Sequence, residues 1–243
     1  MPPHTGTAPL PPTPEHHHRD VRGGAARAAV FGVSDGLVTN VSLILGVAGG
    51  DAHGGFVRLA GMAGLIAGSL SMAAGEYNSM RVQRELLERE LEMERVELHR
   101  NPNVEQAELA QIYQSRGISP DRALALAGEM MSNPEQALAT HAREELGIDP
   151  GELGSPEAAA GASFVSFAVG AFVPLVPWLF SVGTTAIVTS VLLAVVASVI
   201  LGAVIARFTH RSAWRTVARQ LLLTAGAAAV TFAIGKAIGI SAA

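Results

Sequence analysis

Five stretches of this chain are apolar for long enough to cross a lipid bilayer, and nothing else in it restricts the fold so strongly. They cover residues 25–47, 56–75, 157–175, 181–206 and 217–240. A helix rises 1.5 Å per residue, so about 20 apolar residues span a hydrocarbon core of roughly 30 Å. Inside that core every backbone N–H and C=O must find its partner within the protein, which makes helix the form for such stretches. The expectation is an all-α membrane protein with five transmembrane helices. The 243 residues contain no cysteine, so disulfides, thiolate zinc sites and iron–sulfur clusters are excluded.

The second feature is what separates the second stretch from the third. From residue 81 to 152 the chain carries 15 Asp or Glu against 8 Arg and no Lys, out of 21 acids in all. The segment reads as helical. The second span is expected to run on without a break to about residue 99, where Asn101-Pro102-Asn103 ends it. A helix over 104–115 closes at Gly117. Ser119-Pro120-Asp121 opens another, with Ser as N-cap and Pro in the first turn. Asn133-Pro134 opens a third, which Gly147 terminates. The predicted organisation is a disordered Pro- and His-rich tail over 1–24, spans one and two over 25–80, an acidic helical metal-binding domain over 81–154, and spans three to five over 155–243. His16-His17-His18 in the tail is read as incidental. Pro174-Leu175-Val176-Pro177-Trp178 is expected to form a tight turn at a membrane interface, where Trp is favoured.

Arginine placement orients the spans. Arg19, Arg22 and Arg27 precede or open the first span. Arg81 and Arg84 follow the second, and Arg207, Arg211, Arg215 and Arg219 lie between the fourth and fifth or in the first residues of the fifth. With five spans these places share one side, which the positive-inside rule makes cytoplasmic. The insert and the N-terminus are then cytoplasmic. The near-absence of Lys hints at a high-GC prokaryotic genome.

Asp35 lies about 15 Å into the first span. Intramembrane acids usually mark an ion or proton path, because burying the charge costs several kcal/mol. The alternative is a structural carboxylate bonded to Ser34, Thr39 or Asn40. Gly32 and Gly36 flank it and are expected to loosen the helix there. Gly64 and Gly68 are spaced for close helix approach. Met72, Glu76 and Met80 recur every four residues on one face of the second span. A thioether beside a carboxylate suits a transition ion such as Fe²⁺ better than Mg²⁺ or Ca²⁺. Asp35, Asn40, Met72, Glu76 and Met80 form the expected path.

In the insert, Glu94/Glu97 and Glu105/Glu108 share one internal spacing and flank a Pro-Asn turn. A helical hairpin would bring the two pairs together, and like charges so close repel unless a cation sits between them. His141, Glu144 and Glu145 add nitrogen and oxygen ligands. The plain alternative is a solvated helix laced with pairs such as Glu85–Arg89. No Glu-x-x-His step occurs in the insert, which argues against a di-iron oxidase; a transporter, not an enzyme, is expected.

These residues resemble a known family. Phe31-Gly32-Val33-Ser34-Asp35-Gly36-Leu37-Val38-Thr39-Asn40 is similar to the first span of the vacuolar iron transporter family. Ser71-Met72-Ala73-Ala74-Gly75-Glu76-Tyr77, the run from His141 to Gly147 and residues 168–180 also fit. The resemblance implies a five-span fold, a homodimer, and export of Fe²⁺, sometimes Mn²⁺, from the cytoplasm in exchange for protons. The residues themselves do not rank Fe²⁺ against Mn²⁺, Zn²⁺ or Co²⁺ as the bound ion. The resemblance also implies metal capture by Glu94, Glu97, Glu105, Glu108 and Glu145 and a membrane path through Asp35 and Met72. Some members carry a Met pair where His141 and Ala142 stand here. The destination would be the vacuole in a eukaryote and the exterior, across the plasma membrane, in a prokaryote. The rival reading is a membrane-anchored metal buffer or sensor that does not transport. No nucleic-acid partner is expected.

Overall fold

The computed structural model describes residues 24–50, 53–151 and 153–242. The described residues form eight α-helices and no strand: α1 (Gly24–Gly49), α2 (Gly54–Arg100), α3 (Pro102–Ser115), α4 (Pro120–Met130), α5 (Pro134–Glu144), α6 (Pro156–Phe180), α7 (Gly183–Thr209) and α8 (Ala213–Ala242). Five of them, α1, α2, α6, α7 and α8, are long and apolar enough to cross a membrane. Their outward faces carry Leu192, Leu222, Val230 and Ile238, all exposed, as lipid-facing residues are. The Pro- and His-rich tail lies outside the described residues.

Local chemistry sets most of the boundaries. The Asn133 side chain accepts hydrogen bonds from the N–H groups of Glu135 and Gln136 at 2.9 and 3.3 Å, and Pro134 follows at the first helical position. Ser155 accepts from the Ala158 N–H at 3.1 Å ahead of α6. Ser119 is extended before Pro120, but its side chain makes no capping bond, so proline alone fixes that start. Gly117 and Gly147 adopt φ of +94° and +67° where chain direction changes.

α2 is a single helix of 47 residues that leaves its apolar stretch and continues into the acidic one. Its arginines pair forward along the chain: Arg81 with Glu85 and Arg84 with Glu88, both at 2.7 Å. The expected Glu85–Arg89 pair does not form, because Arg81 already holds Glu85.

The expected turn at Pro174–Trp178 is also absent. α6 runs through both prolines to Phe180, and the chain turns at Ser181 and Val182, both extended, and Gly183, at φ +66°. Each proline removes one backbone donor, yet unwinding the helix within the apolar layer would strand more groups than it frees. Ser190 Oγ of α7 donates to Pro174 O at 2.7 Å, tying α7 to α6 at this point, and Ser181 N closes the last turn on Pro177 O at 2.9 Å. Trp178 is therefore in the core rather than at an interface, packed with Ile44, Val57, Leu175 and Ala186.

α1 is the hub, touching α2, α6, α7 and α8. It meets α6 backbone to backbone: a Cβ on Gly36 would overlap the Phe167 carbonyl, and one on Gly170 would overlap that of Val33. Gly36 thus admits a neighbouring helix, and α1 stays continuous through it; the loosening expected beside Asp35 does not occur. Gly64 and Gly68 of α2 face Leu43 and Asn40 of α1 and the Phe167 ring of α6, the close approach their spacing suggests.

Candidate metal centre

Away from the apolar layer, the Asn101–Pro102 corner folds α3 back on α2, and α5 closes against both. α3 is steadied on its other side by α4, through Leu109, Ala110 and Tyr113 against Ala123 and Ala127. The consequence falls on four side chains. Glu94 of α2, Glu105 of α3, and His141 and Glu145 at the end of α5 present ligand atoms that all lie within 4.8 Å of one another. His141 Nδ1 is 3.1 Å from Glu94 Oε1, 3.5 Å from Glu145 Oε2 and 3.8 Å from Glu105 Oε2.

Burial sharpens the point. His141 is wholly buried, and Glu94 and Glu105 are 5% and 4% exposed. Buried polar atoms are nearly always hydrogen-bonded, yet His141 Nε2 has no partner, and Nδ1 and Glu94 Oε1, though 3.1 Å apart, do not meet at a hydrogen-bond angle. Burial first, then the neighbouring charges of Glu145, Glu105, Glu97 and Glu108, push the Glu94 carboxyl up to about 7. Burial, followed by Glu108, Glu97 and Glu145, raises Glu105 as well. Carboxylates gathered around an imidazole, with unpartnered atoms facing inward, fit a divalent cation. The O/N donor set suits Fe²⁺, Mn²⁺, Co²⁺ or Zn²⁺.

The matched Glu pairs thus contribute unequally. Glu94 and Glu105 enter the cluster, whereas Glu97 and Glu108 are exposed at its rim and reach it through their charge. Glu144 is not brought in: it pairs with Arg116 beyond the end of α3.

The residues expected in the spans are more dispersed. Asp35 is half-buried and accepts a hydrogen bond from Thr39 at 3.2 Å, one of the structural partners considered for it. Asn40 is fully buried, with Nδ2 donating to Ala171 O at 2.6 Å and Oδ1 left without a partner beside Gly64. Met72 and Glu76 are half-buried and Met80 is buried, its methyl group packed against Gly154. Asp35 and Glu76 join no group of three or more acid or His side chains among the described residues. One span feature escaped the sequence reading. Gln220 of α8, 5% exposed, exchanges hydrogen bonds with Ser34, the neighbour of Asp35, at 3.0 and 3.2 Å. Thr224 extends this polar line to Ser198 at 3.1 Å. The four-residue recurrence Thr216–Gln220–Thr224 in an apolar helix was the available signal.

Five apolar helices joined to a buried carboxylate–histidine cluster define an integral membrane protein built to handle metal ions. The family model described as "VIT family" matches residues 26–236, and the chain belongs to that family. It is 31% identical over 226 residues to vacuolar iron transporter 2 of Oryza sativa subsp. japonica, covering 92% of each chain. It is 32% identical over 220 residues to vacuolar iron transporter 1 of Eucalyptus grandis, covering 89% of this chain and 87% of that one. To the vacuolar iron transporter of Acanthamoeba castellanii it is 37% identical over 186 residues, 73% and 67% of the two chains.

Proposed function

We propose that this protein exports Fe²⁺, and Mn²⁺ by the same chemistry, from the cytoplasm in exchange for protons, and that it works as a homodimer. The observation that carries the reading is the Glu94–Glu105–His141–Glu145 cluster with its unpartnered buried atoms. It captures the ion, with Glu97 and Glu108 drawing cations to its rim. Metal must displace protons from its ligands, and a carboxyl pushed up to about 7 makes that competition fall near neutral pH. Asp35, Asn40, Met72, Glu76 and Met80 carry the ion through the spans. Arginine placement supports a cytoplasmic position for the cluster, and the Arg-rich composition supports the plasma membrane of a prokaryote as the location.

The test uses the full chain in liposomes that enclose a metal-quenched dye, under an imposed pH gradient. Gradient-driven Fe²⁺ uptake, lost in Asp35→Ala, is the expected result. Metal binding without flux in the wild-type protein would leave a membrane-anchored buffer or sensor. Normal flux in Asp35→Ala would remove Asp35 from the path.

A further inference from the structure

We propose that the corner between α7 and α8 is a binding site for the phosphate headgroup of an anionic phospholipid. Four arginines gather there: Arg207 in the last turn of α7, Arg211 in the link, and Arg215 and Arg219 on α8. The link is tight. His210 adopts φ +51°, and the Arg211 N–H returns to Ala206 O at 3.1 Å, so the two helix ends stay side by side. Arg215 and Arg219 are one turn apart and share a face of α8. All four arginines are exposed.

Nothing in this part of the chain neutralises them. No Asp or Glu occurs after Glu157. Among the described residues, none of the four arginines has a carboxylate within ion-pair distance. Elsewhere the protein does pair its arginines, as with Arg81, Arg84, Arg95 and Arg116. The patch is also placed at a bilayer boundary. Trp214, 69% exposed, and Phe208, 60% exposed, flank the arginines, and aromatic side chains at span ends sit at headgroup level. The Arg215 guanidinium lies 5.6 Å from the centre of the Trp214 ring. Arg219 is six residues inside the start of α8, roughly 9 Å along it. A cation at that depth on an exposed helix face extends its side chain back to the interface, where lipid phosphate is the complementary group. Arg207 and Arg211 meet the same layer from the α7 side. A planar guanidinium can hold two phosphate oxygens at once.

The test takes the full-length protein, purified in neutral detergent and stripped of lipid. It is offered equal amounts of dioleoyl phosphatidylglycerol and dioleoyl phosphatidylcholine, and retained lipid is read by native mass spectrometry. The wild-type protein is expected to prefer phosphatidylglycerol, with about fivefold of that preference lost per arginine neutralised. Replacing Arg207, Arg211, Arg215 and Arg219 together by Gln should abolish it. The same four changed to Lys should keep most of it, and Arg122→Gln, an exposed arginine on α4, should keep all of it. If the four-Gln variant does not fold, the wild-type protein decides alone: its preference must shrink as salt screens exposed charge. Equal retention of the two lipids by the wild-type protein would overturn the proposal, as would a preference unmoved by salt or by the four-Gln change. Complete displacement of phosphatidylglycerol by inorganic phosphate would reassign the site to a free anion. Dissociation of one copy from another in the four-Gln variant, with lipid preference intact, would reassign it to an acidic protein face.

Discussion

Helices crowd together in two parts of this protein, and the two junctions are built in opposite ways. Where α1 crosses α6, side chains are absent: Gly36 and Gly170 let backbones touch. Where α2, α3 and α5 meet, charged side chains fill the gap, and their carboxylates repel one another. The first junction is complete in itself. The second has excess negative charge and a buried, unpartnered His141 Nε2, so a cation held there would add to its stability. The scaffold is closed and the metal junction is open, within one chain.

The comparison breaks most sharply at the scaffold. Gly36→Leu would drive a side chain into the Phe167 backbone, an overlap expected to destabilise by about 3 kcal/mol or more. Metal should not rescue it; a folded variant with the wild-type Tm in detergent, with and without Fe²⁺ or Mn²⁺, would show that the crossing is looser than described. The next largest effect lies at the open junction. Glu94→Gln should lower metal affinity on the order of 100-fold, measured by titration calorimetry with Mn²⁺. It should also raise the Tm of the metal-free protein, since a buried, crowded charge is removed. Wild-type protein should gain about 2.7 kcal/mol at a metal concentration 100 times Kd, and the variant almost none. A fall in metal-free Tm on Glu94→Gln would mean that the carboxylate is a structural partner.

Proton dependence sharpens the same contrast. The Glu94 carboxyl ordinarily titrates near 4.5 and is pushed up to about 7 in the fold. The folded state therefore holds a proton that the unfolded state releases between those values. Its stabilising contribution is full below about 4.5 and is lost as pH rises through about 7. Metal affinity runs the other way, weakening as pH drops below about 7 and the proton returns. Metal-free Tm should fall from pH 5 to 8 while Mn²⁺ affinity rises, and parallel trends would exclude Glu94 as the shared site. The smallest effect belongs to Glu144. Its pair with Arg116 is partly exposed, so Glu144→Ala should cost less than about 1 kcal/mol and leave Mn²⁺ affinity within about twofold. A tenfold loss would bring Glu144 into the ligand set.

How far the sequence spoke depended on the range of the interaction. Helices and their starts were legible because Pro-Asn corners and apolar runs act locally. The pairing of Glu94 with Glu105 was legible through the matched spacing about one corner. The choice between Glu144 and Glu145 was not: adjacent residues on a helix point about 100° apart, and only the docking angle of α5 decides which enters. The same holds for Pro174 and Pro177, which read as a turn because Pro usually ends a helix. An apolar surrounding makes unwinding a helix costlier than two missing donors, and that constraint is set by the environment of α6, not by the local pattern. Gln220 was passed over because the Thr216–Gln220–Thr224 recurrence marks a polar stripe without naming its partner, and Ser34 lies 186 residues away in the chain.

α2 has a mechanical consequence. One uninterrupted helix of 47 residues is a rod roughly 70 Å long. Its apolar end is wedged against α1 and α6, and its far end carries Glu94. With no break between them, a tilt at the wedged end would carry through to Glu94. From Gly68, the last close contact with α6, to Glu94 is roughly 39 Å of helix, so a tilt of about 5° would displace Glu94 by roughly 3 Å, a large part of the 4.8 Å within which the four ligand atoms are gathered.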